Sequence, residues 1–314
     1  AGALLTPAVA RGARAQGWRP ERAVRFVVAY PPGGATDAQA RLLAQALGET
    51  WGGSVVVENR PGGNSVIATE IVAKAPGDGH TLLFTALPFA LNPALYDGLP
   101  YDTGRDLAPV SLLSTIPNVL VVHPSVPART VPEFVAYVRA KPGQVSYASA
   151  GVGTASHLAG ELLNAAAGID LIHVPYRGSG PATADILSGR VPVMFDTAMR
   201  PHIEAGRVRA IAVTTEGRSA LYPGLPTIAE AGYPGFGAYA WYLLAAPGST
   251  PAPVVGAISA LTAEILRRPA MRDRLLELTA EPVGANPDET RNFLDAEGRK
   301  WGRLIRERGI KPDS

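Results

Sequence analysis

The segment Tyr30-Pro31-Pro32-Gly33-Gly34-Ala35-Thr36-Asp37 joins a predicted buried strand, 24–29, to a predicted amphipathic helix from about 36 to 47. Its two prolines stiffen the start of the turn, and its two glycines allow the backbone angles that a tight turn requires. Thr36 or Asp37 is expected to cap the helix. The turn then presents backbone N–H groups at the positive end of a helix, where an anion binds favourably. The alternative is a plain strand-to-helix turn without a ligand.

The anion expected at this turn is not a phosphate. The segment lacks the lysine of a P-loop and the third glycine of a dinucleotide-binding fingerprint. Asp37 is expected to organise the turn rather than to act as a base.

Strand and helix patterns alternate along the chain after Trp18, which predicts an α/β fold with mostly parallel sheets flanked by helices. Later strands are predicted at 80–85, 145–148, 171–174 and 191–195. The carboxyl ends of parallel strands meet at one edge of a sheet, and ligands bind at that edge in open α/β sheets. We therefore expect the turns after these strands to carry the binding residues.

The apolar segment 107–122 is predicted to be a pair of strands or one strand that crosses between two domains, and 238–245 is predicted to be the return crossing. The first domain is then discontinuous and comprises 16–119 and 243–314, whereas the second comprises 120–242. A cleft between two domains is a usual place for a small ligand.

The first fifteen residues differ in character from the rest of the chain. Leu4-Leu5 and the following small residues resemble the apolar region of a signal peptide, and Ala13-Arg14-Ala15 resembles its cleavage site. We therefore interpret 1–15 as the remnant of a signal peptide and expect a periplasmic protein. A disordered N-terminal arm is the alternative.

Composition narrows the function classes further. The chain has 314 residues, of which 46% are hydrophobic and 18% charged, and a formal net charge of +2 that falls to zero without Arg11 and Arg14. A neutral chain without a basic block disfavours nucleic acid as a partner. The chain has no cysteine, which excludes disulfides and thiolate chemistry.

The sequence contains no strong catalytic signature. Its five histidines lack metal-ligand spacing, and a Gly-x-Ser-x-Gly motif is absent, so neither a metal nor a cofactor is predicted. His157 lies near Ser156 and Glu161, and Asp196 follows an apolar strand, so a periplasmic hydrolase or isomerase is the enzymatic alternative. A histidine that pins its own turn by hydrogen bonding is the favoured interpretation of His157. Asp196 is interpreted as a polar anchor at the cleft, with an ordinary end-of-strand turn residue as the alternative.

Three glycine-rich turns, beginning at 31, 149 and 175, each follow a strand and precede a helix. Helix N-termini that face each other across a cleft bind a carboxylate through N–H groups without buried cations. This pattern predicts a binding protein rather than an enzyme.

A series of motifs, in order along the chain, carries a family resemblance. They are Tyr-Pro-Pro-Gly-Gly-Ala-Thr-Asp (30–37), Val-Glu-Asn-Arg-Pro-Gly-Gly-Asn (57–64), Ala-Pro-Gly-Asp-Gly-His-Thr-Leu-Leu (75–83), Asn-Pro-Ala-Leu-Tyr (92–96), Leu-Pro-Tyr-Asp (99–102) and Val-Pro-Tyr-Arg-Gly-Ser-Gly-Pro-Ala (174–182). Over 20–314 the chain resembles the Bug family, the periplasmic solute-binding receptors of tripartite tricarboxylate transporters.

The resemblance implies a two-domain Venus-flytrap fold of the periplasmic-binding-protein type, with two crossing strands. It also implies a carboxylate held at the cleft, largely by backbone N–H groups and ordered waters. The implied contacts in the first domain are Pro32, Gly33, Gly34, Ala35, Thr36, Asp37, Thr85, Ala86 and Leu87. Those in the second domain are Ser149, Ala150, Gly151, Thr154, His157, Tyr176, Arg177, Gly178 and Asp196.

The implied partners are a small carboxylate and the transmembrane permease subunits of the transporter, with a membrane sensor kinase as an alternative partner. A monomer is expected. The turns at 149–153 and 86–89 are more apolar than is common in the family, which disfavours a highly polar ligand such as citrate. Dicarboxylates, amino acids, aromatic acids and nicotinate-like acids stay open.

Overall fold

The computed structural model describes residues 18–311, so the predicted signal peptide lies outside the described residues. The strands are β1 (Val24–Val28), β2 (Val55–Asn59), β3 (Thr81–Ala86), β4 (Leu107–Ile116), β5 (Val119–Val122), β6 (Val145–Ser149), β7 (Leu171–Pro175), β8 (Val193–Asp196), β9 (Arg209–Val213), β10 (Ala240–Pro247) and β11 (Glu281–Pro282). The helices are α1 (Ala35–Trp51), α2 (Val66–Ala73), α3 (Pro88–Leu95), α4 (Val131–Arg139), α5 (Ala155–Ala167), α6 (Ser179–Leu187), α7 (Arg200–Glu204), α8 (Ala252–Arg267), α9 (Pro269–Glu277) and α10 (Pro287–Arg308). Within this part of the chain, none of the helices combines the length and the apolar character that crossing a bilayer requires.

The strands form two sheets. The first has the order β11-β4-β10-β3-β1-β2, and the second has the order β7-β6-β8-β5-β9. β1 runs parallel to β2 and β3, and β6 runs parallel to β7 and β8. β10 is antiparallel to β3 and β4, and β5 is antiparallel to β8 and β9.

The predicted α/β class and crossing between two sheets are therefore present, but the sheets are mixed rather than mostly parallel. The strands that carry the chain between the sheets cause this difference. In the first sheet β10 runs against β3 and β4 on either side of it, and in the second sheet β5 runs against β8 and β9, so each sheet contains a reversed strand that borders a crossing. A βαβ repeat alone would have kept all strands parallel.

The chain leaves the first sheet at the end of β4 and enters the second at β5, with only Pro117-Asn118 between them. It returns between β9 and β10. Sheet membership thus changes near both predicted domain boundaries, which fall inside β5 and β10.

Alternating side chains of each sheet face opposite layers of helices. In β1 and β3, Val27 and Leu83 belong to one buried cluster and Phe26 and Phe84 to another, as expected for strands covered on both faces. These buried layers hold the strand ends, and hence the turns beyond them, in fixed positions.

Candidate functional site

The turn between β1 and α1 presents a row of backbone donors. Gly33 has a φ of 86°, and Gly34 is the N-cap in an extended conformation without a side-chain cap. The first helical bond runs from the Ala38 N–H to the Gly34 carbonyl, at 3.0 Å. Within residues 18–311, the N–H groups of the four positions 34–37 have no hydrogen-bond partner. Gly34 and Ala35 are also exposed, so this helix end is accessible to an anion.

The expectation that Thr36 or Asp37 caps α1 is wrong. The helix begins at Ala35, one residue earlier than expected, because Gly34 adopts the N-cap conformation itself. Thr36 and Asp37 therefore lie in the first helical turn. Their N–H groups stay available there, since a capping side chain would have occupied one of the donors.

Asp37 organises the turn, as expected. Its Oδ2 accepts from the Gly33 N–H at 3.0 Å and from Arg41 Nε at 2.9 Å, and its Oδ1 accepts from Asn59 Nδ2 at 2.9 Å. The same Asn59 amide donates to the Tyr30 carbonyl at 2.9 Å. The hydrogen bond from Arg41, followed by those from Gly33 and Asn59, lowers the pKa of Asp37 to about 2. The hydrogen-bonding capacity of its carboxylate is thus satisfied within the turn, and Arg41 partly neutralises its charge. It therefore repels a bound anion less than an unpaired carboxylate would.

The exit of β3 lies beneath this turn. Thr36 Oγ1 donates to the hydroxyl of Tyr242 at 3.1 Å, and Tyr242 is paired with Ala86 across β10 and β3. Thr85, Ala86 and Leu87 are all buried, and the Thr85 hydroxyl has no hydrogen-bond partner among the described residues. These three residues form the base on which the donor row rests.

The turn after β6 uses most of its N–H groups internally. The Ala150 N–H donates to Ser156 Oγ at 3.0 Å, the Gly151 N–H to Ser149 Oγ at 3.1 Å, and the Gly153 N–H to His157 Nδ1 at 3.0 Å. Thr154 is the N-cap of α5 and accepts from the His157 N–H. This internal bonding makes the turn rigid, and it leaves fewer donors for a ligand than the first turn offers.

The donors that do stay without a partner in this turn, within the described residues, are the N–H groups of Val152, Ala155 and Ser156. Val152, Ala155 and Ser156 are all absent from the predicted contacts. The sequence signal that identifies Ala155 is its position directly after the N-cap Thr154, since the first N–H groups of a helix have no intrahelical acceptor.

His157 holds this turn in shape. Its Nδ1 accepts a hydrogen bond and therefore carries no proton, and its ring stacks on that of His173 with centroids 4.0 Å apart. Burial, and secondarily the neighbouring His173, lowers the pKa of His157 to about 3. The imidazole is neutral at physiological pH and serves as a structural acceptor.

The Ser-His-Glu arrangement of the enzymatic alternative is not assembled. Ser156 Oγ bonds to the Ala150 N–H and to Thr154 Oγ1, and no hydrogen bond joins it to His157. Glu161 accepts from the Tyr147 hydroxyl at 2.9 Å and from Arg308 Nε at 2.7 Å. Each side chain is thus committed to a structural contact.

The turn after β7 is tied to the turn after β6. The Tyr176 N–H donates to the Ser149 carbonyl at 3.1 Å, and the Gly178 N–H donates to the Ala150 carbonyl at 3.0 Å. The Tyr176 hydroxyl donates to Asp185 at 2.5 Å, and burial, followed by this carboxylate, raises the pKa of Tyr176 to about 12. The side chain of Arg177 is exposed.

Asp196 is the last residue of β8, at the carboxyl end of this strand in the second sheet. Its Oδ2 accepts from Ser179 Oγ at 2.7 Å and its Oδ1 from the Ala198 N–H at 2.7 Å, while burial raises its pKa. It thereby joins the end of β8 to the start of α6, and its side chain has a structural role in addition to the role predicted for it.

The strand registers place the predicted ligand-binding ends of both sheets next to the same connection between the sheets, Pro117-Asn118. Val119 is paired with Asp196 at the carboxyl end of β8, and Ile116 is paired with Ala240, two residues from the Tyr242 that borders the end of β3. The two sets of predicted site residues therefore flank Pro117-Asn118. No group of three or more His, Cys, Asp or Glu side chains that could hold a metal occurs in 18–311.

The comparisons with known proteins agree with this architecture. A family model described as "Tripartite tricarboxylate transporter family receptor" (TctC) matches residues 39–310. The chain is 37% identical to protein BugT of Bordetella pertussis over 93% of this chain and 91% of that protein.

Two solved structures from Rhodopseudomonas palustris are similar as well. Rpa4515 with adipate has 36% identity and a TM-score of 0.78, covering 94% of this chain and 99% of that chain. MatC with bound malate has 33% identity and a TM-score of 0.72, covering 91% and 99%. The two-domain fold and the Bug-type resemblance are thereby confirmed, and a receptor that binds its solute without converting it replaces the enzymatic alternative. The chain belongs to the TctC family of tripartite tricarboxylate transporter receptors.

Proposed function

We propose that this protein is an extracytoplasmic receptor that captures a small carboxylate between its two sheets and delivers it to the permease subunits of a tripartite tricarboxylate-type transporter. Family membership and the predicted signal peptide at 1–15 support an exported location. We further propose that 16–119 with 243–314 and 120–242 are the two bodies that close on the ligand.

The observation that carries the proposal is the row of four N–H groups at positions 34–37, none of which has a hydrogen-bond partner in the described part of the chain, 18–311. A carboxylate accepts hydrogen bonds from such a row, and the helix dipole favours its negative charge. The turn after β6 offers fewer donors. The carboxylate therefore rests first on the α1 turn, and closure brings the second edge onto the other end of the ligand.

We propose a dicarboxylate with an apolar middle as the ligand class. The two similar R. palustris structures contain adipate and malate, both of which are dicarboxylates. In this chain the base of the first turn includes the apolar Ala86 and Leu87, and the second turn contributes Val152. Such surfaces suit methylene groups better than additional hydroxyl or carboxylate groups, because an unpaired polar group loses hydration there.

Binding is tested by thermal unfolding and calorimetry against a panel of dicarboxylates, monocarboxylates, amino acids, aromatic acids and their neutral amides. A ligand at one hundred times its Kd stabilises the folded state by about 2.7 kcal/mol. Stabilisation by dicarboxylates and not by the amides is the expected result. Equal responses to acid and amide would contradict recognition by a donor row.

The variant Gly34→Val locates the site. A Cβ at Gly34 meets no atom within 4 Å, so the fold is expected to persist while the isopropyl group obstructs the donor row. We expect affinity for the best carboxylate to fall at least a hundredfold, which corresponds to about 2.7 kcal/mol.

Gly53→Val is the matched control, because a Cβ at that position, beyond the other end of α1, also meets nothing within 4 Å. Unchanged affinity in Gly34→Val, or an equal loss in both variants, would contradict the proposed site. Uptake of the labelled ligand in cells that contain the permease, measured with both variants, then tests delivery.

A further inference from the structure

A second concave surface lies on the first domain, between α3 and α10. We call it the α3–α10 groove. Its apolar part is formed by Phe89, Ala90, Leu107, Pro109, Leu294 and Gly298. It encloses about 530 Å³, a volume within the usual range of small-ligand sites.

The wall of the groove that β4 forms lies far from the carboxyl strand ends, whereas Phe89 follows the predicted contact Leu87 by two residues. Leu107 and Pro109 are paired with Pro247 and Ala245, whereas the cleft end of the same two strands is marked by the pairing of Ile116 with Ala240. Seven to nine residues of extended strand separate the two positions, or about 25 Å. The groove is also formed without any of the residues predicted to bind at the cleft.

Its charged side is formed by Arg291, Arg299 and Arg306 of α10. All three side chains are exposed, and none has an ion pair or hydrogen bond within 18–311. On the same helix, by contrast, Arg303 pairs with Glu307 at 2.7 Å and Arg308 pairs with Glu161 at 2.7 Å. The three arginines that line the groove are therefore the arginines of α10 that have no ion-pair partner among the described residues.

One acidic residue, Asp295, also lines the groove, one helical turn from both Arg291 and Arg299. It forms no ion pair among the described residues, so the local charge is positive by two. At the end of the groove toward the C-terminus of α10, Arg306 lies eleven residues beyond Asp295, and Arg299 lies seven residues before Arg306 and thus on the same face of the helix. An anion is favoured most at that end.

Glycines keep this end of the groove open. A Cβ at Gly298 would meet nothing within 4 Å, and a Cβ at Gly302 would meet Arg306 Nη1 at 3.5 Å. The Arg306 guanidinium thus lies over bare helix backbone. At the opposite wall the Thr103 hydroxyl is buried and has no hydrogen-bond partner within the described residues.

We infer that the α3–α10 groove is a second anion-binding site, and that its ligand is an amphipathic carboxylate with an unbranched apolar body. The carboxylate pairs with Arg299 and Arg306, because a guanidinium binds a carboxylate through two parallel hydrogen bonds. The apolar body lies along Phe89, Leu107 and Leu294. A purely polar acid would leave the apolar side of the groove uncovered. An apolar ligand without a charge would leave the arginines unpaired.

The test uses octanoate as the probe, with octanamide and acetate for comparison, in calorimetric titrations of the full chain. Gly34→Val serves as the background, since it removes carboxylate binding at the proposed cleft. Octanoate is expected to bind this background at least tenfold more tightly than octanamide or acetate. If octanoate binds the wild type but not Gly34→Val, its site is the cleft and the inference is overturned, while the proposed function stands.

Two variants address the two halves of the site. The double variant Arg299→Gln/Arg306→Gln is expected to weaken octanoate binding at least tenfold. Gly298→Leu, whose Cβ would meet nothing within 4 Å, places a side chain in the open groove and is expected to abolish binding. Arg303→Gln is the matched control on the same helix and is expected to change affinity less than twofold.

Absence of octanoate binding, or binding that neither variant weakens, would overturn the inference. Circular dichroism and thermal unfolding establish that each variant is folded, and binding of the best cleft carboxylate to Arg299→Gln/Arg306→Gln in the wild-type background is expected to be unchanged. A loss at the cleft in that variant would also overturn the inference, because the two sites would then not be separate.

Discussion

Asp37 and His157 show how single polar side chains shape the two halves of the site. Asp37 accepts from the N–H of Gly33 and from the side chains of Arg41 and Asn59, and the N–H groups of 34–37 have no partner among residues 18–311. His157 acts in the same way, because its Nδ1 accepts from the N–H of Gly153, also four residues earlier. The two turns differ because the hydroxyls of Ser149, Thr154 and Ser156 accept from further N–H groups in the second turn.

At the residue scale we predict that His157 makes stability depend on pH. Its folded pKa of about 3 lies below the unfolded value of about 6.5, so its contribution is complete above pH 6.5 and is lost as the pH falls toward 3. Between pH 7 and pH 5 this amounts to about 1–2 kcal/mol. Urea unfolding at several pH values is expected to show the decline in the wild type and a shallower one in His157→Asn.

His157→Phe separates the charge from the hydrogen bond. It keeps an aromatic ring beside His173 but removes both the titration and the acceptor for the Gly153 N–H. Its pH dependence should match that of His157→Asn, whereas its stability at pH 7 should differ. If the free energy of unfolding of both variants depended on pH as it does in the wild type, His157 would not be the source of that dependence.

Helix α5 illustrates the element scale, because one glycine sets its distance from β6. A Cβ at Gly160 would lie 2.3 Å from the ring of Tyr147, whose hydroxyl donates to Glu161 and to the His157 carbonyl. The close approach of helix and strand thus holds the start of α5, and with it the turn at 149–154, against the second sheet.

We therefore predict that Gly160→Ala destabilises the fold by about 1–2 kcal/mol, because overpacking outweighs the gain in helix propensity. In Gly256→Ala of α8 a Cβ meets nothing within 4 Å, so the same substitution there should stabilise by about 0.5–1 kcal/mol. Denaturant unfolding of both variants checks the contrast. Stabilisation by Gly160→Ala would show that the ring and the helix separate without loss.

At the scale of the whole molecule, the two crossings between the sheets are bonded to each other. Asn118 Nδ2 donates to the Ala238 carbonyl at 3.0 Å, and Thr214 Oγ1 donates to the same carbonyl at 2.6 Å. The Thr214 N–H donates to the Asn118 carbonyl at 3.0 Å. All three residues are buried. This cluster fixes the position of the crossing that both edges of the proposed cleft flank.

We predict that Asn118→Ala and Thr214→Val each destabilise by about 1–2 kcal/mol, since each single variant leaves Ala238 one donor. The double variant removes both donors from a buried carbonyl and is expected to lose more than the sum of the single effects. Urea unfolding of the four proteins measures the coupling, with the exposed Asn292→Ala as a control. If the destabilisation of the double variant equalled the sum of the two single effects, Asn118 and Thr214 would not depend on each other through the Ala238 carbonyl.

Much of the fold followed from local patterns. The strand at 24–28 and the helix after Gly34 are encoded by an apolar run, a Pro-Gly turn and a 3.6-residue period, all of which act between near neighbours. The antiparallel placement of β5 and β10 was not predicted, because it depends on which strands pair, and pairing joins residues that are distant in the chain.

The sequence by itself determined the α/β class and the set of turns at which a ligand is expected, since both rest on short segments with their own conformational preferences, and its motifs indicated the family by resemblance. Only the tertiary structure decided which N–H groups in those turns are available. Whether Gly153 or Ala150 offers a donor depends on where His157 and Ser156 point, and the His157 ring stacks on His173 of β7, which stacks in turn on Tyr147 of β6. Hydrogen-bond satisfaction is a property of the packed chain, because every donor bonds to the acceptor that folding brings within reach.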